Sequence, residues 1–201
     1  GGHPVPRPSL LKLKSQNEIR IPAQEAGVLI EMPVKEGTKV KEGDLLARID
    51  DREAKATLQI TEYALDSANK KAEEDIEIRY AQAAADVAKV DLIQDQKANI
   101  TQPGAVPEIE IRRKKLDLKR STLQIEKAQK DQVLARLEAK TKEAERDAAQ
   151  MALEWRTILA PFAGEVVDTY RHRSEWVNPG DPILKLARFN ELHVEGTANA
   201  D

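Results

Sequence analysis

Residues 102–107, Gln102-Pro103-Gly104-Ala105-Val106-Pro107, decide how this chain is read. Between Gly43 and Gly104 there is no glycine, and Pro103 is the only proline. Between Gly104 and Gly164 the prolines are only Pro107 and Pro161. Two long stretches without breakers therefore flank one tight cluster of them. Pro-Gly marks a turn, and a second proline shortly after it suits the first turn of a new helix. The stretch predicts helix, sharp turn, helix.

Working outward, the first arm spans residues 51–99. Asp50, Asp51 and Glu53 place negative charge at its start, where the helix dipole favours it. Its apolar positions include Ala54, Leu58, Leu65, Ala68, Ala72, Ile76, Tyr80, Ala83, Val87 and Val90, spaced by three, four and seven with a phase slip near Ile76. The second arm spans residues 108–157. Ile109, Leu116, Leu123, Leu137, Ala144 and Met151 keep a strict seven-residue register, with Leu134, Ala148 and Trp155 at a companion position. At 1.5 Å per residue each arm is roughly 75 Å long. A short turn makes the arms antiparallel neighbours. Counting back from a tip near Ala105 pairs Ile76 with Leu134 and Val87 with Leu123, and brings Asp91 and Asp95 near Lys119 and Lys115. Small residues such as Ala68, Ala72, Ala144 and Ala148 are expected to let the arms approach closely.

Composition agrees. Charged residues reach 33% and aromatics only 3%, which suits exposed helices with a thin seam better than a thick core. The net charge of -3 gives no reason to expect a nucleic-acid partner. The absence of cysteine excludes disulfides, thiolate metal sites and cysteine nucleophiles. No apolar run approaches the roughly 20 residues that span a bilayer.

The flanks follow a different rule. Residues 19–50, IRIPAQEAGVLIEMPVKEGTKVKEGDLLARID, and 158–190, ILAPFAGEVVDTYRHRSEWVNPGDPILKLARFN, are short Val/Ile/Leu strands broken by glycines. Gly27-Val28 matches Gly164-Glu165-Val166, and Val40-Lys41-Glu42-Gly43-Asp44 matches Val177-Asn178-Pro179-Gly180-Asp181. One motif is written twice, with the hairpin between its copies. Neither half can bury much apolar surface alone, so both are expected in one small β-sandwich.

That repeat resembles the biotinyl/lipoyl fold, whose halves read roughly G-x-V, V-x-x-G, V-x-x-G-x-x-L. The first half matches at Gly27, Val28, Val34, Gly37, Val40, Gly43 and Leu46, the second at Ala160-Pro161, Gly164, Val166, Val177, Gly180 and Ile183. It departs at Ser174, where a turn glycine is usual. A split lipoyl-like domain holding a helical hairpin resembles the HlyD-type periplasmic adaptors, or membrane fusion proteins. The resemblance implies an α+β fold: a lipoyl-like β-sandwich (barrel-sandwich hybrid) of residues 19–50 and 158–190, interrupted by an antiparallel coiled-coil hairpin over 51–157. Residues 191–201 then begin an incomplete β-barrel, and residues 1–18 are a tag, a linker or a first strand.

The resemblance further implies a non-catalytic subunit, with no cofactor and no metal, in the periplasm at the inner membrane, held there by a signal anchor or lipid. It would bridge an inner-membrane transporter (ABC, RND or MFS type) to an outer-membrane channel as a ring of six. In that family the hairpin tip meets the channel, often through Arg, then Leu four residues on, then Ser seven beyond. Gln96, Ile100 and Pro107 stand at those places, so only the apolar character survives. The expected docking tip is therefore Gln96, Ile100, Gly104, Ala105, Val106 and Pro107, with Arg112 and Arg113 supplying charge. The alternatives are a lipoyl or biotinyl carrier and a coiled-coil scaffold. A carrier needs a lysine on the turn between the halves, where the helices stand instead; the nearest, Lys55, falls in the first helical turns. His3, His172 and His193 lie too far apart for a metal site, and Met32 and Met151 are too scattered for a soft-metal relay. Arg171-His172-Arg173 is expected in a solvated loop, the acidic run Glu73, Glu74, Asp75 and Glu77 on solvated surface, and Trp155, Phe162 and Trp176 in packing at the hairpin root.

Overall fold

The structure, a computed structural model, describes residues 18–189. The expectations placed on residues 1–17 and 190–201, with His3, His193 and the start of a barrel, lie outside the described residues. Strands β1 (Glu18–Pro22), β2 (Gly27–Glu31), β3 (Lys39–Val40) and β4 (Leu45–Ile49) precede helices α1 (Arg52–Glu73), α2 (Ile76–Thr101) and α3 (Glu108–Glu154). Strands β5 (Thr157–Leu159), β6 (Gly164–Thr169), β7 (Trp176–Val177) and β8 (Pro182–Arg188) follow. The chain divides into two compact units: the residues up to Lys55 together with those from Met151, and the span Ala56–Gln150.

The β unit has two four-stranded sheets, ordered β1-β8-β6-β3 and β5-β4-β2-β7. Moving each position 137 residues along the chain, as Gly27 to Gly164 and Gly43 to Gly180, turns one sheet into the other. The hydrogen bonds obey the same operation. The Gly37 N–H donates to the Val166 carbonyl at 2.7 Å, and the Ser174 N–H donates to the Leu29 carbonyl at 2.7 Å. Gly43 N–H reaches the Ala160 carbonyl, and Gly180 N–H reaches that of Ala23, both at 2.8 Å. β2 pairs with β4 and β6 with β8 inside their own halves, but β1 pairs with β8, β2 with β7, β3 with β6 and β4 with β5 across the halves, which is why the sequence repeat requires a single domain. Leu29, Leu46, Ile49, Val166, Val177, Ile183, Leu184 and Leu186 are fully buried between the sheets. The first strand also joins this sandwich, since Ile21 pairs with Leu184.

Two turn positions show what the repeat demands. A Cβ on Gly164 would overlap the Ala187 carbonyl oxygen on the neighbouring strand, so only glycine fits there. Gly37 turns the chain at φ 84°, and Ser174, its counterpart, does the same at φ 76°. The departure at Ser174 therefore leaves the turn intact, at the steric cost that a side chain meets in left-handed backbone.

The helical unit departs from the sequence reading in two ways. The first arm is not one continuous helix: α1 ends at Glu73 and α2 begins at Ile76. Glu73 and Glu74 stand four and three residues before Glu77, and like charges at that spacing disfavour continuing the helix. The phase of the apolar pattern resets across the break. Before it, Leu65, Ala68 and Ala72 face inward as expected; after it, Ala81, Ala85 and Leu92 are buried while Ile76, Tyr80, Val87 and Val90 are exposed.

The second departure is on α3. The side facing the first arm carries Ile111, Leu118, Ile125, Ala128, Ala135, Ala139 and Ala149, all at least partly buried. Ile109, Leu116, Leu123, Leu134, Leu137 and Met151 are exposed instead, and Ala144 and Ala148 lie outside with them. Ile76 and Leu134 are thus both outward, as are Val87, 62% exposed, and Leu123, 54% exposed. The seam is built from small residues: Ala68, Ala72, Ala135 and Ala139 form one buried cluster. Acid still meets base across it, one residue from the expected register, with Asp95 paired to Lys114 and Lys71 to Glu138 at 2.9 Å.

Candidate functional site

The tip of the hairpin is built by its own sequence. Gln102 caps α2, its N–H donating to the Ala98 carbonyl at 2.8 Å. The Gln102 carbonyl then accepts from the Ala105 N–H at 3.1 Å, closing a turn with Pro103 second and Gly104 third at φ 84°. That is the order a type II turn requires. The Pro107 carbonyl accepts from Ile111 N–H at 3.3 Å and opens α3.

A residue that pattern reading missed completes the tip. Asn99, half-buried at the end of α2, accepts from the Val106 N–H at 2.7 Å and donates its amide to the Val106 carbonyl at 3.0 Å. Both backbone polar groups of Val106 are thereby satisfied within the chain. Nothing in the spacing of apolar residues points to Asn99; its position seven residues before Val106, across a Pro-Gly turn, is the only signal available.

Of the expected docking residues, Gln96, Ile100, Gly104, Ala105, Pro107, Arg112 and Arg113 are exposed and Val106 is half-buried. Ile100 is 81% exposed, the most of any large apolar residue described. Arg112 pairs with Glu108 one turn earlier at 3.2 Å, so part of its charge is met on its own helix. The tip therefore offers two large apolar side chains, Ile100 and, in the first turn of α3, Ile109, with small residues between them and two guanidinium groups just beyond. These are means of binding rather than of covalent chemistry.

The root of the hairpin is held by charge. Asp50 takes both Nε and Nη2 of Arg52, the latter at 2.6 Å, and the Arg52 N–H as well. Those bonds, with the charge of Arg52 and Arg156, hold its carboxyl down at about 2. Arg156 donates Nη1 to the Asp50 carbonyl at 2.7 Å, tying the strand before the helices to the segment after them. Lys55 pairs with Asp51 at 2.9 Å within the first helical turn. Of the three aromatic residues expected in packing, only Phe162 packs on the core, with Arg188 over its ring at 4.6 Å. Trp155 and Trp176 are exposed. In the loop after β6, Arg171 lies 3.5 Å from Asp181, and His172 lies 3.2 Å from Glu175. Met32 packs at the edge of the sandwich, whereas Met151 lies on the outer face of α3. Among the described residues no helix is long and apolar enough to cross a membrane.

Comparison with known proteins adds to this geometry. Residues 17–183 match the family model described as RND MFP, barrel-sandwich hybrid domain. No curated protein matches the sequence. Among solved structures, MacA from Actinobacillus actinomycetemcomitans is similar at 24% identity and TM-score 0.59, over 86% of this chain and 55% of that one. The periplasmic adaptor protein EmrA is similar at 16% identity and TM-score 0.56, over 87% of this chain and 73% of that one. The soluble domain of LipC, a membrane fusion protein of a type I secretion system, gives 14% identity and TM-score 0.51, over 86% of this chain and 100% of that one. This chain spans little more than half of the MacA chain.

Proposed function

Because the chain belongs to the RND membrane fusion proteins, through a barrel-sandwich hybrid domain that fills most of its length, we propose that it is a periplasmic adaptor linking an inner-membrane transporter to an outer-membrane channel. The hairpin tip docks on the channel through Ile100 and Ala105, with Arg112 and Arg113 supplying charge. The adaptor works as a homo-oligomer, in a ring of six. It is held at the inner membrane and performs no catalysis of its own.

The observation that carries this reading is the tip. Ile100, 81% exposed, stands in the last turn of α2 beside a reversal in which Asn99 satisfies both backbone polar groups of Val106, so the tip presents an apolar side chain on an ordered turn. A Gln at position 96 cannot offer the planar fork of an Arg, so apolar contact takes the larger share of this docking. Ile100→Asp combined with Ala105→Asp in the full-length protein tests it. Export should fall to the level of a strain lacking the adaptor, with protein abundance and oligomer size unchanged. Export at the normal rate would remove the tip from the mechanism.

A further inference from the structure

We propose that the β unit holds a binding site for an organic anion with an apolar body, in the cleft where the loop between β2 and β3 meets the loop between β6 and β7. The site needs neither the hairpin tip nor a ring of copies, so it stands or falls apart from the reading above.

The two loops are copies of one another. Residues 32–38 become residues 169–175 on moving 137 positions along the chain, and the hydrogen bonds follow. The Thr38 N–H donates to the Lys35 carbonyl at 3.0 Å, and the Glu175 N–H donates to the His172 carbonyl at 3.2 Å. Both copies therefore keep one backbone, and side chains that differ between them are not demanded by that backbone. Val34 is answered by Arg171 and Glu36 by Arg173, so the second loop carries an arginine where the first has an apolar or an acidic residue.

The exchange at Val34 is the costly one. Val34 belongs to the core, whereas Arg171 in the counterpart place is half-buried. A guanidinium there gives up hydration that an aliphatic side chain never needed. Asp181 at 3.5 Å meets part of its charge, while its buried Nε has no hydrogen-bond partner. A donor is left over that an anion could satisfy.

The cleft has a volume of about 450 Å³, inside the range that small ligands occupy. Met32 and Val34 line it with apolar surface, and Lys35, Arg171 and Arg173 line it with positive charge. Among its lining residues Glu36 is the one carboxylate, and it already accepts from the Thr169 hydroxyl at 3.4 Å. His172 meets Glu175 at 3.2 Å, but Lys35 and Arg173 form no ion pair among the described residues. Cations in excess beside an apolar wall select a negatively charged head on an apolar body. The guanidinium forks suit a carboxylate or a phosphate head alike.

The test titrates the whole chain with octanoate, and with octanamide as the neutral molecule of the same length, followed by NMR. Octanoate should shift the Met32 methyl and the Thr169 and His172 amide signals to saturation, with octanamide binding roughly tenfold more weakly. Lys35→Gln with Arg173→Gln should weaken octanoate roughly tenfold, and since both side chains are exposed the remaining spectrum should be unchanged. Arg171→Val gives a second route, because the first copy already folds with valine in that place. It should also weaken octanoate, with a urea midpoint equal to the native one or higher. Equal binding of octanoate and octanamide, or octanoate binding unchanged in the double variant, would overturn a site selective for anions. No saturable shift of these signals would overturn the cleft as a binding site.

Discussion

Asn99 closes the hairpin tip by holding Val106 through both of its backbone polar groups, accepting at 2.7 Å and donating at 3.0 Å. One side chain thus does what a neighbouring strand would do, and the chain reverses without exposing unpaired backbone. Asn99→Ala removes both bonds and should cost about 1–2 kcal/mol, at the usual net worth of about 1 kcal/mol each, and speed exchange of the Val106 amide. Asn99→Asp keeps the acceptor for the Val106 N–H but sets a carboxylate oxygen against the Val106 carbonyl, so it should protect that amide only in part. Hydrogen exchange read by NMR separates the two variants.

Ser174 stands in left-handed backbone at φ 76°, where its counterpart is Gly37 at φ 84°. Ser174→Gly should stabilise the β unit by up to about 1 kcal/mol, the relief of the side-chain clash less the entropy that glycine loses on folding. The urea midpoint should rise with an unchanged slope.

Gly164 presents a different constraint, because what a Cβ would meet is the Ala187 backbone carbonyl in the paired strand. Neither partner can rotate away. Gly164→Ala should destabilise by about 2–3 kcal/mol, as overpacking in a core does. Gly37→Ala, with open space around it, should cost less, from the positive φ alone.

Asp50 gives the hairpin root a dependence on pH. Its carboxyl is held at about 2 against an ordinary 3.8, first by the hydrogen bonds from Arg52. A depressed carboxylate stabilises the folded state above its unfolded value and loses that contribution as pH falls through the folded one. Thermal unfolding from pH 5 to pH 2 should show a steeper loss of stability between about 4 and 2 in the native chain than in Asp50→Asn. Raising the salt concentration should narrow the difference, since the pair meets solvent.

The sequence shows the β unit well and the hairpin only in part, for physical reasons. Glycines at 27, 43, 164 and 180 mark fixed backbone needs, and fixed needs repeat visibly when a motif is duplicated. The turn at Pro103-Gly104 was legible for the same cause. The seam was harder, because a heptad shows that a helix has an apolar face without saying what covers it. Leu116 and Leu123 make the stronger pattern, yet Ala128 and Ala135 face the first arm, since small side chains let two helices approach closely. The break after Glu73 was visible only as a phase slip. Asn99 left almost no trace, because its side chain binds the backbone amide and carbonyl of Val106 rather than another side chain.

The central claim is that this chain meets an outer-membrane channel through its hairpin tip. Its most direct test places a photo-activated cross-linker at position 100 of the full-length protein, in cells that carry the whole export system. The predicted product joins the chain to an outer-membrane protein, and a cross-linker at exposed Lys140 on α3 should not give it. Cross-links at position 100 only to other copies of the chain, or to no membrane protein, would contradict the account.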